Sequence, residues 1–385
     1  MPDHCPHSAK PFGDDVLSFC KALSATLLAD KQTQSLPDLV ALGFWLRAPS
    51  ISRLVDNYRA LPFHFRSLGV VFHNTPNNVD SLFAYSAITS LLCGNANIVR
   101  LPARQSETTD LFVSLCQRVL IEFPSLQHRL LFFRCAHDAL PPVHQLADGR
   151  ILWGSNQAIR QQRQASVKAH CRDIAMVHKI SGAVLDCGHI NRADDNTLTA
   201  IAECFIRDTM TYAQQACSSP KFLVWAGSTE ERLAAQKRFW TAIAENLKPA
   251  QITSPSQRMD ALFSLQYLIH HEALASAAID GPILRAQAPT LTHAITEHHN
   301  GNGLVVEMEV ETLDDLLALN LDDFTLQTLT YSGLSDDALH RLIEMFSSGL
   351  DRLVPLGQAL NFDTLWDGVD LVLQLTRLSA RAEAL

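Results

Sequence analysis

From Phe63 onward, short apolar runs alternate with longer amphipathic ones, and few folds satisfy that alternation. The run Leu68–Phe72 reads as a strand, His73–Asn78 as a turn and Val79–Cys93 as a helix. A Gly-Asn turn, a strand at Asn97–Leu101, a helix near Ser106–Ile121 and strands at Leu130–Arg134 and Ile151–Trp153 follow. Strands separated by helical stretches of this length cannot pair as hairpins. They pair in parallel, and a parallel sheet must be covered on both faces. The expected class is therefore α/β.

The alternation restarts in the second half. Helix Leu198–Thr211 leads to strand Lys221–Trp225, and the next helix opens at Ser228 with Glu231 placed to complete a capping box. Strand Gly303–Val310, helix Thr312–Leu319, strand Thr325–Tyr331, helix Ser335–Phe346 and strand Arg352–Pro355 complete the pattern. The segment GAVLDCGHINRADDN turns polar between 185 and 195. A boundary there divides the chain into 1–188, with a contribution from 365–385, and 189–364. This predicts two parallel-sheet α/β lobes with the active site in the cleft between them. At 385 residues, two to three domains is the ordinary expectation.

Charge narrows the class. With 31 Lys and Arg against 40 Asp and Glu, the chain carries −9 and has no basic stripe, which argues against nucleic acid as a partner. Apolar runs such as Leu39–Leu46 fall short of a membrane span, and the opening MPDHCPHSAKPFGDD lacks the apolar core of a signal peptide. Nine cysteines, an odd number without repeated spacing, read as reduced thiols of a cytoplasmic protein.

Most of the nine should be small buried hydrophobes. Cys217 differs: in QQACSSPKFLVW it lies between a helix and a strand among small residues, where backbone amides and room for substrate favour a reactive thiolate. In HNTPNNVD, side-chain amides crowd the carboxyl end of a strand, suited to an oxyanion, although on composition this is an ordinary Asx-rich turn. Arg100, with Arg104 nearby, ends a strand where a cation can grip phosphate or ribose, and surface arginine is the commoner role. Gly154-Ser155 opens a helix after a strand, a weak phosphate signal. Neither GxGxxG nor GxxxxGK[ST] is present, and His293, Glu297, His298 and His299 lack any paired metal motif, so no metal is expected.

Taken in order, HNTPNN, GNANIVRLP, WGSNQAI, QQACSSPKF, LQTL, PLG and WDG resemble segments of the LuxC-like acyl-CoA reductases, a branch of the aldehyde dehydrogenase superfamily. The resemblance runs from about Leu68 to Asp370. It implies an aldehyde dehydrogenase-like fold, Cys217 as nucleophile and Asn78 as oxyanion donor. It further implies a nicotinamide cofactor held by Thr75, Pro76, Asn77, Arg100, Pro102, Gly154, Ser155, Ser181 and Gly182, with NADPH expected because Arg100 and Arg104 suit a 2′-phosphate. The 1–188 lobe would hold the cofactor and the 189–364 lobe the cysteine.

The implied reaction is reduction of a fatty acyl thioester, on CoA or an acyl carrier, to the aldehyde through an acyl-cysteine. The superfamily's hydrolytic glutamate would fall where the chain reads Ile180-Ser181-Gly182-Ala183-Val184, and a thiol ester spared from water survives until it is reduced. The superfamily's Glu-Ile-Phe-Gly-Pro cofactor segment is replaced by Asn300-Gly301-Asn302-Gly303. An acyl-transferring partner protein and a homo-oligomer are both compatible with the resemblance. Phe205, Met210, Tyr212 and Trp225 are candidates for an acyl channel, with core packing the commoner role. Competing readings are a reductase of an acyl phosphate or short CoA ester, a cysteine acyltransferase or thioesterase without nicotinamide chemistry, and a non-catalytic scaffold.

Overall fold

The structure, a computed structural model, describes residues 9–75, 81–271, 273–324, 326–347 and 349–379. It divides into two compact units, one of 1–178 with 362–385, the other of 179–361. The first division falls about ten residues before the expected boundary at 188/189. The apolar run at 180–186 is a strand of the second sheet, so the chain changes unit before its composition turns polar.

The first unit opens with three helices, α1 (Asp14–Ala29), α2 (Pro37–Trp45) and α3 (Ala48–Arg59), which precede the alternating pattern. Then come β1 (His64–Ser67), β2 (Val70–Asn74), α4 (Leu82–Leu92), β3 (Ala96–Arg100), α5 (Glu107–Leu120), β4 (Leu130–Phe133), α6 (Pro141–Leu146), β5 (Gly149–Trp153), α7 (Asn156–Arg163) and β6 (Arg172–Met176). Five strands form one parallel sheet in the order β4-β3-β2-β5-β6. From β2 the chain builds outward to β3 and β4, then returns to add β5 and β6 on the other side. The reversal opens a crevice at the carboxyl ends of β2 and β5, where such sheets bind ligands.

The second unit carries β7 (Ile180–Asp186), α8 (Cys187–Arg192), α9 (Asp195–Met210), β8 (Phe222–Ala226), α10 (Thr229–Asn246), α11 (Pro255–His270), β9 (Ser276–Ala278), β10 (Leu284–Gln287), α12 (His293–His298), β11 (Leu304–Val310), β12 (Leu326–Ser332), α13 (Asp336–Met345) and β13 (Leu350–Pro355). Its sheet runs β13-β12-β7-β8-β11-β10-β9, parallel except for β9. Alternation along β8 assigns the faces. Phe222, Val224 and Ala226 pack with residues of α11, α12 and α13, whereas Leu223 and Trp225 pack with α9 and α10. The Ser228–Glu231 capping box forms as the sequence predicts. The stretch Thr312–Leu319, expected as an α-helix, is instead a 3₁₀ segment ended by Asn320 in the left-handed conformation.

The chain returns to the first unit through β14 (Leu365–Trp366), β15 (Val369–Asp370), α14 (Leu371–Gln374) and β16 (Thr376–Ser379). β16 pairs antiparallel with β1, Asn95 Nδ2 donates to the Leu375 carbonyl at 2.9 Å, and the Tyr58 hydroxyl donates to Asp370.

Gly182 shows how tightly the second sheet is packed. A Cβ there would lie 2.1 Å from the Phe222 ring, so the glycine makes room for an aromatic that anchors the core. Gly182→Ala should therefore lower stability by about 3 kcal/mol, the scale of an overpacked core. Chemical denaturation midpoints check this; an unchanged midpoint would show that the ring has somewhere to go.

Candidate functional site

Cys217 lies at the amino edge of the second sheet, where β7, β8 and β12 begin. The three strands each contribute to holding it. Ser181, the second residue of β7, donates its hydroxyl to the Cys217 carbonyl at 2.7 Å and accepts the Thr328 amide at 3.2 Å. The Lys221 amide, just before β8, donates to the Ser181 carbonyl at 2.8 Å. From β12, Gln327 directs its Nε2 to the Cys217 sulfur at 3.0 Å.

The Gln327 contact depends on a break in register. Leu326 pairs with Ile180, but Leu329 pairs with Gly182, so three steps on β12 face two on β7. Such a bulge inserts one residue and redirects a side chain that regular pleating would bury in the sheet. Gln327 and Thr328 are the residues inside the bulge, and both are fully buried. A buried amide N–H facing sulfur favours the anionic thiolate over the thiol.

The turn before Cys217 is strained and braced. Tyr212, Ala213 and Gln214 all have φ between 50° and 64°, a region costing non-glycine residues about 1–3 kcal/mol each. The Gln214 side chain donates to the carbonyls of Pro220 and Leu304 at 2.7 and 2.8 Å and accepts from the Gly303 amide at 3.0 Å. The Asn302 amide donates to the Ala213 carbonyl at 2.8 Å, and Gln215 Nε2 donates to the Asn300 carbonyl at 2.7 Å. Gly301 packs where a Cβ would come within 2.8 Å of the Gln214 carbonyl. The Asn300–Gly303 segment is therefore a buttress for the turn that precedes Cys217.

Lys221 and His299 complete the surroundings. Lys221 Nζ donates to the His299 carbonyl at 3.0 Å. Burial lowers the Lys221 pKa, and the charge of Cys217 works against that lowering. Burial, reinforced by the Lys221 charge, pushes His299 down to about 3, so its ring is neutral.

The other cysteines behave differently. None of the eight described forms a disulfide. Burial pushes the thiols of Cys20 and Cys187 up to about 12, and those of Cys93 and Cys116 further still. Cys217 is half-buried and faces a hydrogen-bond donor.

In the first unit, the residues expected to hold a cofactor gather at the carboxyl ends of β2, β3 and β5. Arg100 Nη1 donates to Asn74 Oδ1 at 2.9 Å, and Nε and Nη2 reach the Cys135 carbonyl, both at 3.4 Å. Among the described residues three of the guanidinium's five N–H groups are thus committed, which leaves two for a ligand. Asn74 Nδ2 donates to Gln162 Oε1 at 2.6 Å, and the Thr75 hydroxyl donates to the Arg100 carbonyl at 2.7 Å. Ser155 caps α7 through the Ala158 amide at 3.2 Å, and the first turn of α7 contains no acidic residue. Gly154, at φ 147°, sits where a Cβ would press on Ala158 at 3.1 Å. Beside it the buried Trp153 Nε1 lacks an acceptor among the described residues. A cation with spare donors, a helix start open to an anion and an unmatched indole N–H suit a dinucleotide's polyanionic, acceptor-rich surface.

Other expected residues take different positions. Pro102 is buried in the turn after β3, its carbonyl accepting from Arg134 Nε at 3.2 Å. Ser181 and Gly182 lie in β7, where Ser181 braces the Cys217 loop and Gly182 accommodates Phe222. Pro76, Asn77 and Asn78 lie outside the described residues. Phe205, Met210 and Trp225 are core residues of the second unit, and Tyr212 belongs to the strained turn. Among the described residues no cluster of three or more His, Cys, Asp or Glu is placed to hold a metal, and no helix is long and apolar enough to cross a membrane.

Comparison with known proteins decides the family. The profile of the acyl-CoA reductase family LuxC matches residues 56–280, more than half of the chain. The chain belongs to the LuxC acyl-CoA reductase family. Chemistry of the acyl-reductase or aldehyde-dehydrogenase type, an oxidoreductase acting on acyl or aldehyde groups, follows from that membership. No curated protein matches the sequence. Solved structures similar to this family member include 1-pyrroline-5-carboxylate dehydrogenase from Thermus with bound NAD (12% identity, 96% of this chain and 80% of that one, TM-score 0.65). Two others are an NAD-dependent benzaldehyde dehydrogenase from Corynebacterium glutamicum (12%, 95% and 84%, 0.64) and lactaldehyde dehydrogenase from Escherichia coli (11%, 95% and 85%, 0.67). At these identities the likeness establishes an aldehyde dehydrogenase-like fold.

Among the residues that build the site, Gln327, Lys221 and Gln162 are not singled out by the sequence, whereas Asn74 stands in the HNTPNN segment and His299 drew notice only among histidines weighed for a metal. Only the LQTL segment hinted at the first of them. A hydrogen bond to a charged group contributes about 1.5–3 kcal/mol. Gln327→Leu should accordingly slow iodoacetamide alkylation of Cys217 at neutral pH by about tenfold or more. Mass spectrometry of the labelled peptide reports the rate, and an unchanged rate would reduce Gln327 to a packing residue.

Proposed function

We propose that this protein reduces a fatty acyl thioester, carried by CoA or an acyl carrier, to the aldehyde with NADPH. The observation that supports this most directly is Cys217 itself: a half-buried thiol on a braced turn, with the Gln327 amide aimed at its sulfur.

In this mechanism the Cys217 thiolate attacks the thioester carbonyl. The oxyanion is held by the Cys217 backbone N–H and the side-chain amide of Asn78. The carrier thiolate departs and the acyl group stays on Cys217. Positions 180–185, Ile-Ser-Gly-Ala-Val-Leu, offer no carboxylate to activate water against that thioester. Bound reduced nicotinamide supplies the hydride. Arg100, Thr75, Gly154 and Ser155 would hold and orient the cofactor, with Arg100 and Arg104 favouring a 2′-phosphate. Sulfur leaves again when aldehyde is released, and Gln327 stabilises it as thiolate in both directions.

Mixing the protein with NADPH and acyl-CoAs of increasing chain length should consume reduced nicotinamide. Release of free CoA without that consumption would instead favour an acyltransferase or thioesterase. Cys217→Ala should abolish transfer of a radiolabelled acyl group to the protein, and an adduct that persists on the variant would displace Cys217 as nucleophile. Asn78→Ala should cost about 3 kcal/mol of transition-state stabilisation, read as a loss of turnover of about a hundredfold. A loss of only a few-fold would make Asn78 a turn residue.

A further inference from the structure

The first sheet has a second edge. Arg100, Asn74, Gly154 and Ser155 occupy the carboxyl ends of its strands; the amino ends of β3 and β4 carry none of them. At that opposite edge lies a cavity of about 390 Å³, lined by residues that include Lys10, Gly13, Ser125 and Arg129.

Arg129 immediately precedes β4 and is only 7% exposed. One Nη donates to the Gly94 carbonyl; among the described residues Nε has no acceptor and no carboxylate lies within ion-pair distance of this guanidinium. A buried arginine without a counter-ion is costly, and the burial lowers its pKa. The cavity wall is fixed, because the Ala9 amide donates to the Gly94 carbonyl at 3.0 Å and the Phe12 amide to the Leu92 carbonyl at 2.8 Å.

The second feature is independent of the first. α1, 16 residues long, begins at this cavity with Gly13 as its cap, and glycine has no side chain to accept from the first-turn amides. Among the described residues no cap side chain accepts from the first turn of α1, where the helix dipole is positive. Asp14 and Asp15 also line the cavity; both are exposed, and Asp15 accepts from the Ser125 hydroxyl at 2.7 Å. Their repulsion of an anion is screened by water, whereas the attraction of the buried guanidinium is screened far less.

We propose that this cavity is a second ligand site, which takes a phosphate group on Arg129 and the α1 amides with Lys10 at its mouth. The group is inorganic phosphate or the head of a small phosphate ester. A strand of five residues, about 15 Å, separates this edge from the cofactor residues, so a ligand here acts on the protein without meeting the chemistry.

Calorimetric titration of the whole protein with inorganic phosphate and with glycerol 3-phosphate, at constant ionic strength against chloride, tests the site. Wild-type protein should bind, with a melting temperature raised by about 3 °C at saturating ligand. Arg129→Gln should weaken binding at least tenfold. Lys10→Glu, at an exposed position that leaves the fold intact, should weaken it several-fold, while Arg100→Ala should leave it unchanged. Tighter binding of the ester identifies an ester as ligand; equal or tighter binding of the free ion identifies phosphate. No binding beyond chloride by the wild type, or an unchanged affinity in Lys10→Glu, overturns the proposal. So does binding that is lost in Arg100→Ala and kept in Arg129→Gln, because the anion would then sit at the cofactor end.

Discussion

The hydroxyl of Ser181 is the joint on which the edge around Cys217 is assembled. It donates to the carbonyl of Cys217 and accepts the amide of Thr328, so one side chain links β7, the loop entering β8 and the bulge of β12. The bulge removes a regular ladder position, and the hydroxyl takes the amide this leaves over, as buried backbone groups require. Without that acceptor the bulge would leave a buried amide unmatched, and Gln327 would have no reason to face sulfur. The position of Cys217 is thus fixed mainly by hydrogen bonds between neutral side chains and the backbone.

The two sheets use their edges differently. In the first unit the carboxyl ends of β2, β3 and β5 carry a chain of side-chain hydrogen bonds through Arg100, Asn74 and Gln162. Its members hold one another in place and still leave donors over. In the second unit Cys217 sits at the amino ends of the strands, against a turn with three left-handed residues. Strain of that kind persists only where surrounding contacts over-determine it, and Gln214 with the Asn300–Gly303 buttress supplies those contacts.

The strand-helix alternation made the architecture readable, because periodicity is a local property and parallel α/β units impose it strongly. Cys217, Arg100 and Gly154-Ser155 drew notice because each stands in a short segment of distinctive composition. Gln327 was not. Its role depends on a one-residue register shift between strands that are far apart in sequence, and nothing in LQTL marks a bulge. Asn300–Gly303 drew notice only as a missing cofactor segment, since its partner, the turn at 212–215, lies some 85 residues away. Ser181 and Gly182 were named for the cofactor; that they also brace the Cys217 loop and admit the Phe222 ring depends on contacts across strands that sequence order does not show. The three helices before Phe63 fell outside the alternating signal altogether.

The chain leaves the first unit at 178 and returns at 362, where β16 closes on β1 and Asn95 reaches the Leu375 carbonyl. During synthesis on a ribosome the amino-terminal portion therefore emerges with its partner strand still untranslated. β1 must wait as an unpaired edge while the whole of the second unit is made, the kind of exposed edge that invites wrong partners. The second unit is continuous in sequence and has every strand of its sheet in hand once residue 355 is out. Folding order is thereby written into the connectivity: the inserted unit can finish first, and the unit that begins the chain is completed by its end.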